Sequence, residues 1–202
     1  MPLWMASKPL LLASKSEVRR KILASAGVPI ESRPAPIDER AIEARSNVHE
    51  AAEVARVLAG AKAHTVAAQM PARVVLGADQ TLTLGERRFS KPANRDAARE
   101  QLLALRGKTH RLHSALTVVR DGTVLFEYSD SAHLTMRNFS ERFLESYLDA
   151  VGDSALASVG GYQIESAGIH LFEKISGDYF TILGLPLLPL LQFLRQDGLM
   201  RD

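Results

Sequence analysis

The stretch Leu10-Leu11-Leu12-Ala13-Ser14-Lys15-Ser16-Glu17-Val18-Arg19-Arg20 constrains the fold more than any other part of the chain. Its apolar start reads as a short buried strand, and the strand turns at once into a helix. A helix N-terminus presents unpaired backbone N–H groups and a partial positive charge, so such a junction suits an anion. Ser14 and Glu17 have capping-box spacing, which predicts the helix start between them. Arg19 and Arg20 follow in the first two turns, where their charges oppose the helix dipole. Two readings follow. The arginines face an external anion, phosphate first among candidates, or they solvate one face of an amphipathic helix.

The pattern continues as strand, helix, strand. The helix runs over Ser16–Ala26, closed by Gly27, and Pro29–Arg33 forms the second strand. Asp38-Glu39-Arg40 reads as loop, and a long helix is expected over Val48–Gln69 with Asn47 as its N-cap. Val74-Val75-Leu76 is a continuous apolar run ending at Gly77, as in a strand buried on both faces. Thr81–Leu84 and Arg88–Phe89 flank Gly85-Glu86 as a hairpin, and Asn94 caps a helix to Leu105. Two long alternating segments, Arg111–Arg120 and Thr123–Thr135, are joined by Asp121-Gly122, a tight-turn signal. A capped helix over Ser140–Ala150, a strand-like Tyr162–Ile175 and a leucine-rich helix over Pro186–Arg195 complete the chain. Helices and strands alternate early and an antiparallel pair sits in the middle. The class is α/β, a mixed sheet flanked by helices, in one domain over residues 1–202.

Composition narrows the chemistry. The 202 residues contain no cysteine, which removes disulfides, thiol nucleophiles and Cys-ligated zinc and fits a cytoplasmic location. Lysine and arginine number 25 against 23 acids, a balance that argues against bulk nucleic-acid binding. The first nine residues lack a charged stretch ahead of a long apolar one, so no signal peptide is expected. The leucine-rich run near the end is broken by Gly184, Pro186 and Pro189 and falls short of the ~20 residues that span a bilayer, so no membrane is expected as partner. The six histidines have no metal-ligand spacing and read as surface or packing residues.

Gly77-Ala78-Asp79-Gln80-Thr81 leaves a buried strand at its carboxyl end, where open α/β sheets place ligands. Asp79 can hold a divalent metal or act as a general base there, or it can cap a turn. Glu39, Lys62 and Lys91 are unremarkable singly. Ser14 and Ser16 have no histidine and acid in a recognisable elbow, which disfavours a serine hydrolase.

Taken in order, these segments resemble the Maf family of nucleotide pyrophosphatases. They are Leu12-Ala13-Ser14-Lys15-Ser16 with Arg19, Asp38-Glu39, Ala61-Lys62-Ala63, Gly77-Ala78-Asp79 and Lys91-Pro92. Leu105-x-Gly107-x-x-His110, Tyr162-x-Ile164 with Gly168, and Gly184-Leu185-Pro186-Leu187 follow. The resemblance implies a Maf/ITPase-like fold with two lobes around a cleft. It implies hydrolysis of a nucleoside triphosphate to the monophosphate and pyrophosphate, a divalent cation (Mg2+ or Mn2+), and a homodimer. Carried over position by position, Asp79 becomes the general base and a metal ligand, with Glu39 as its acidic partner. Ser14, Arg19, Lys62 and Lys91 become the polyphosphate cradle, Lys62 and Lys91 counting with the catalytic set.

The family's usual Ser-Pro-Arg-Arg is Ser16-Glu17-Val18-Arg19 here, and the common Asp-Thr is Asp79-Gln80. Ala157-Ser158 replaces an Asp-Lys, and Glu165 stands where many members carry glutamine. Gln80 and Glu165, as substrate-binding residues, resemble the branch acting on 7-methyl-GTP more than the branch acting on dTTP and UTP. A carboxylate accepts from a guanine N1–H and amine and favours the positive charge of a methylated guanine. The rival class is a nucleotide-binding regulator of cell division without turnover, which needs cations but no general base.

Overall fold

The computed structural model describes residues 3–201. A seven-stranded mixed sheet has the order β2-β1-β3-β5-β6-β7, with β4 paired to β3. The strands are β1 (Leu10–Leu12), β2 (Ile30–Ser32), β3 (Val75–Leu84), β4 (Arg87–Phe89), β5 (Thr109–Arg120), β6 (Thr123–Met136) and β7 (Phe172–Ser176). β1 is parallel to both β2 and β3, whereas β4 lies antiparallel to β3 and β7 antiparallel to β6. The helices are α1 (Glu17–Ser25), α2 (Glu39–Ser46), α3 (Ala51–Ala67), α4 (Arg95–Leu105), α5 (Glu141–Val151), α6 (Tyr179–Ile182) and α7 (Leu187–Gln196). The expected α/β class with a mixed, helix-flanked sheet is therefore found.

The chain forms two compact units. The first takes residues up to Gln80, His113–Asp130 and Tyr179 onward; the second takes Thr81–Leu112 and Ser131–Asp178. In the first unit Leu10, Leu12, Leu23, Leu76, Ala78, Leu116, Val118, Leu190 and Leu194 form one buried core, so the all-apolar β1 is covered on both faces. A second group joins Leu11 and Val75 of the sheet to Ala63 and Val66 of α3.

In the second unit α4 and α5 are tied by Arg99 to Glu145 at 2.6 Å and to Glu141 at 2.8 Å, an exposed ionic seam worth little singly. His110 is fully buried beside Tyr162 and Phe172, and its Nε2 lies 2.7 Å from the Tyr162 hydroxyl. It is a packing residue, as its strand position suggested.

Several expectations are corrected. The N-cap of α1 is Ser16, whose Oγ accepts from the Arg19 backbone N–H at 3.4 Å; Ser14 lies outside the helix. Asp38-Glu39 opens a helix rather than a loop, because the Asp38 carboxylate caps the Ala41 N–H at 3.0 Å. Asn47 ends that helix in the left-handed conformation at φ 53°, so it stops α2 instead of starting α3. β3 does not end at Gly77 but runs on through Asp79 to Leu84, placing Asp79 in mid-strand. Most of Tyr162–Ile175 is turn and 3-10 conformation, and only the stretch from Phe172 is strand. The turn at Asp121-Gly122 is as expected, with both residues at positive φ.

Candidate active site

The site grows from the contact of α3 with β3. A Cβ on Gly77 would collide with the Ala59 carbonyl oxygen and stand 2.7 Å from the Ala63 nitrogen. Glycine there lets the helix lie against the strand backbone. That close approach brings Lys62, the neighbour of Ala63, to Asp79, two residues along the strand from Gly77. Lys62 Nζ donates to Asp79 Oδ1 at 2.5 Å and pairs with Glu39 Oε1 at 2.7 Å. The Lys62 and Asp79 side chains are only 12% and 11% exposed, against 51% for Glu39. Glu39 reaches the ammonium because Asp38 starts α2 immediately before it.

Arg19 occupies the other side of Asp79's strand. Its Nε donates to the Gly184 carbonyl at 2.7 Å, and its Nη1 donates to the Ala78 carbonyl at 2.8 Å and to Ser14 Oγ at 3.1 Å. The residue is 8% exposed. All three acceptors are neutral, and no acid among the described residues lies within ion-pairing distance of the guanidinium. A buried guanidinium held only by neutral oxygens is charge without a contact counter-ion, and it fits an anion supplied from outside. Three of its five N–H groups are committed to the protein, which leaves Nη2 for such a ligand. Gly184, at φ +88°, keeps space beside that nitrogen, since a Cβ there would come within 3.3 Å of it.

Burial raises the Asp79 carboxyl above its usual pKa, while Lys62 and Arg19 pull it down and Glu39 pushes it up. Burial also lowers the Arg19 guanidinium, against Asp79 and Glu39, which raise it. A carboxylate raised toward neutrality from below is suited to accepting a proton. Glu39 and Asp79, both on one ammonium, form a hard oxygen donor pair of the kind magnesium or manganese takes, with water and phosphate oxygens completing the shell. No group of three or more candidate metal ligands occurs among the described residues.

Of the residues singled out from sequence, Ser14, Arg19, Glu39, Lys62, Asp79 and Gln80 all lie in the first unit, and the bonds above join Ser14 with Arg19 and, separately, Glu39 with Lys62 and Asp79. Gln80 is bonded elsewhere, to Ser114 Oγ, Thr181 O and Ile182 O. Arg20 does not share the role of Arg19: it is exposed and paired with Glu17 on its own helix. Lys91, after β4, and Glu165, in the turn that follows Tyr162, are exposed residues of the second unit. The carbonyls of Gly184 and Ala78, and the side chains of Ser114 and Thr181, were not anticipated. Ala78 and Gly184 stood in the ordered motifs of the sequence, whereas Ser114 and Thr181 carried no signal.

The profile of Maf-like proteins matches residues 9–197. The chain belongs to the Maf family. Its Maf relatives include a protein of Rhodopseudomonas palustris named nucleoside triphosphate pyrophosphatase, 52% identical over 99% of both chains. Another of the same name, from Nitrobacter winogradskyi, is 54% identical over 99% of both. A protein of Rhizobium etli named 7-methyl-GTP pyrophosphatase is 53% identical over 94% of this chain and 96% of its own. Among solved structures, a HAM1 protein from Coxiella burnetii gives a TM-score of 0.43 at 15% identity, over 65% of this Maf chain and 74% of the other.

Proposed function

We propose that this Maf protein is a cytoplasmic nucleoside triphosphate pyrophosphatase, releasing a monophosphate and pyrophosphate by attack of water on the α-phosphorus. The observation that carries the reading is the buried Arg19 guanidinium beside the Glu39–Lys62–Asp79 cluster, in a chain half identical along its length to proteins named for that activity. Arg19 Nη2 and the Lys62 ammonium bind phosphate oxygens and absorb the charge that grows on them as the bond to the leaving pyrophosphate breaks. Ser14 Oγ, which accepts from Arg19 Nη1 and from the Ser16 N–H, can turn its own proton to the same phosphates. Asp79 accepts the proton of the attacking water, and its raised pKa brings its basicity closer to the working pH. Asp79 and Glu39 would hold a divalent cation, which would supply further neutralisation of the polyphosphate. Lys91 contributes a cation to the polyphosphate, and Glu165 favours a positively charged base. The favoured substrate is 7-methyl-GTP, the substrate in the name of the Rhizobium etli relative. The protein acts as a homodimer, as its resemblance to the family suggests.

The test is pyrophosphate release from a panel of 7-methyl-GTP, dTTP, UTP and CTP with magnesium or manganese. Wild-type protein and Asp79→Asn are run side by side. Release lost by about 10²-fold or more in the variant is expected for removal of a general base. A variant that keeps the wild-type rate removes Asp79 from the chemistry, and binding with no release by the wild type makes the protein a regulator. Glu165→Gln is expected to move the preference from 7-methyl-GTP toward pyrimidine nucleotides; an unchanged ratio of kcat/KM values excludes that role.

A further inference from the structure

Packing holds Asp79 in the middle of β3, but it does not hold Glu39. The Glu39 side chain is 51% exposed, and no residue of α2 is buried. An eight-residue helix without a buried face is marginal by itself, because short helices draw their stability from tertiary packing. The ion pair with Lys62 is a weak anchor, since a half-exposed pair contributes little. Arg45 Nε donates to the Ala41 carbonyl at 3.2 Å and Ser46 Oγ to the Glu43 carbonyl at 2.8 Å, and both bonds close within α2.

The first turn is fixed by Asp38. It follows Pro34 and Pro36, and its backbone is extended at φ −91° and ψ 98°. Its Oδ1 accepts from the Ala41 N–H at 3.0 Å, and its carbonyl receives the Ile42 N–H at 3.1 Å. The helix therefore begins at Glu39, and without the cap Glu39 is the first residue to fray. With the start fixed there, Glu39 Oε1 lies 2.7 Å from the Lys62 ammonium, which also meets Asp79 Oδ1 at 2.5 Å. Position passes from the Asp38 carboxylate to the first turn of α2 and on to the second carboxylate of the cluster.

We propose that Asp38 is a positioning residue, which caps α2 so that Glu39 is held beside Asp79 for a divalent cation, and that it does not ligate the cation itself. The proposal rests on the reading of Glu39 as a cation ligand. Losing the cap makes part of the Glu39 population unavailable, and the loss of a helix cap corresponds to about fivefold in cation affinity.

The probe is Mn2+ alone, titrated into the nucleotide-free protein and followed by electron paramagnetic resonance. The proteins are wild type, Asp38→Ala, Asp38→Asn, Asp38→Ser, Glu39→Gln and the Asp38→Ala/Glu39→Gln double variant, with melting curves to confirm folding. Alanine, asparagine and serine all lack the charge of Asp38, so its long-range attraction for a cation cancels among them. Only asparagine and serine can accept from the Ala41 N–H. Asp38→Asn and Asp38→Ser are each expected to bind Mn2+ about fivefold more tightly than Asp38→Ala. In the Glu39→Gln background Asp38→Ala is expected to add nothing. Amide exchange in the first turn of α2 should quicken in Asp38→Ala alone, and its loss of pyrophosphate release should be recovered at saturating Mn2+. If asparagine and serine bind as weakly as alanine, the carboxylate itself is what the cation needs and the proposal is overturned. So it is if the loss persists undiminished without Glu39. If the wild type takes up no Mn2+, or Glu39→Gln leaves its affinity unchanged, the reading of Glu39 as a ligand fails and the positioning role falls with it.

Discussion

Acidification of this protein acts on one fully buried histidine in a calculable way. His110 has no exposed surface, its Nδ1 has no hydrogen-bond partner, and burial lowers its pKa from 6.5 to about 4. Its Nε2 meets the Tyr162 hydroxyl, a group that burial makes still harder to ionise. Above pH 6.5 the imidazole is neutral folded or unfolded, and it adds no pH dependence. Between 6.5 and about 4 the unfolded chain takes up a proton that the folded chain refuses, so stability falls as pH falls. At about 1.4 kcal/mol per pH unit, the gap between 6.5 and about 4 amounts to a loss of roughly 3 kcal/mol. Below about pH 4 both states are protonated and the loss is complete. The assay is urea unfolding at half-unit steps from pH 7.5 to 4.0, with His110→Gln alongside. Glutamine can still donate to the Tyr162 hydroxyl but does not titrate, so the slope across this window should shrink by about that amount. If the variant keeps the wild-type slope, His110 is not held neutral by burial and the reasoning fails.

Gly77→Ala forces the Ala59 carbonyl and the Ala63 nitrogen away from β3, neither of them a flexible side-chain end. It should cost about 3 kcal/mol in denaturant unfolding and lower activity by disturbing Lys62 against Asp79, whereas a stability change within about 0.5 kcal/mol would contradict the close approach. Lys62→Met removes the cation shared by Glu39 and Asp79, and Asp79 is then buried with only Arg19 to offset it. A loss of about 3 kcal/mol is expected at pH 7. Because the loss belongs to the ionised carboxylate, it should shrink as pH falls through the raised Asp79 pKa, and a pH-independent loss would show that packing of the lysine stem is responsible.

Local patterns carried much of the fold. The apolar Leu10-Leu11-Leu12 run, the caps at Asn94 and Ser140 and the turn at Asp121-Gly122 each act within a few residues, and each forms where the sequence places it. Segments that needed distant partners were misread. Gly77 looked like the end of a strand, yet β3 passes through it because α3 packs where a side chain would stand. The stretch around Asp38 reads as loop by its prolines, although one carboxylate is enough to start α2.

The sequence by itself determined the α/β class, the family and which charged residues to suspect, because those rest on periodicity, capping and ordered motifs. Only the tertiary structure buried Arg19 among neutral oxygens, joined Glu39 to Asp79 through Lys62, and spent the Gln80 amide on residues about a hundred positions away. A side chain's charge can be read from its letter, but its counter-ion, burial and hydrogen-bond partners come from whatever chain packs beside it. In this protein those neighbours arrive from β3, α3 and the turn at Gly184, and no local pattern around Arg19 or Gln80 announces them.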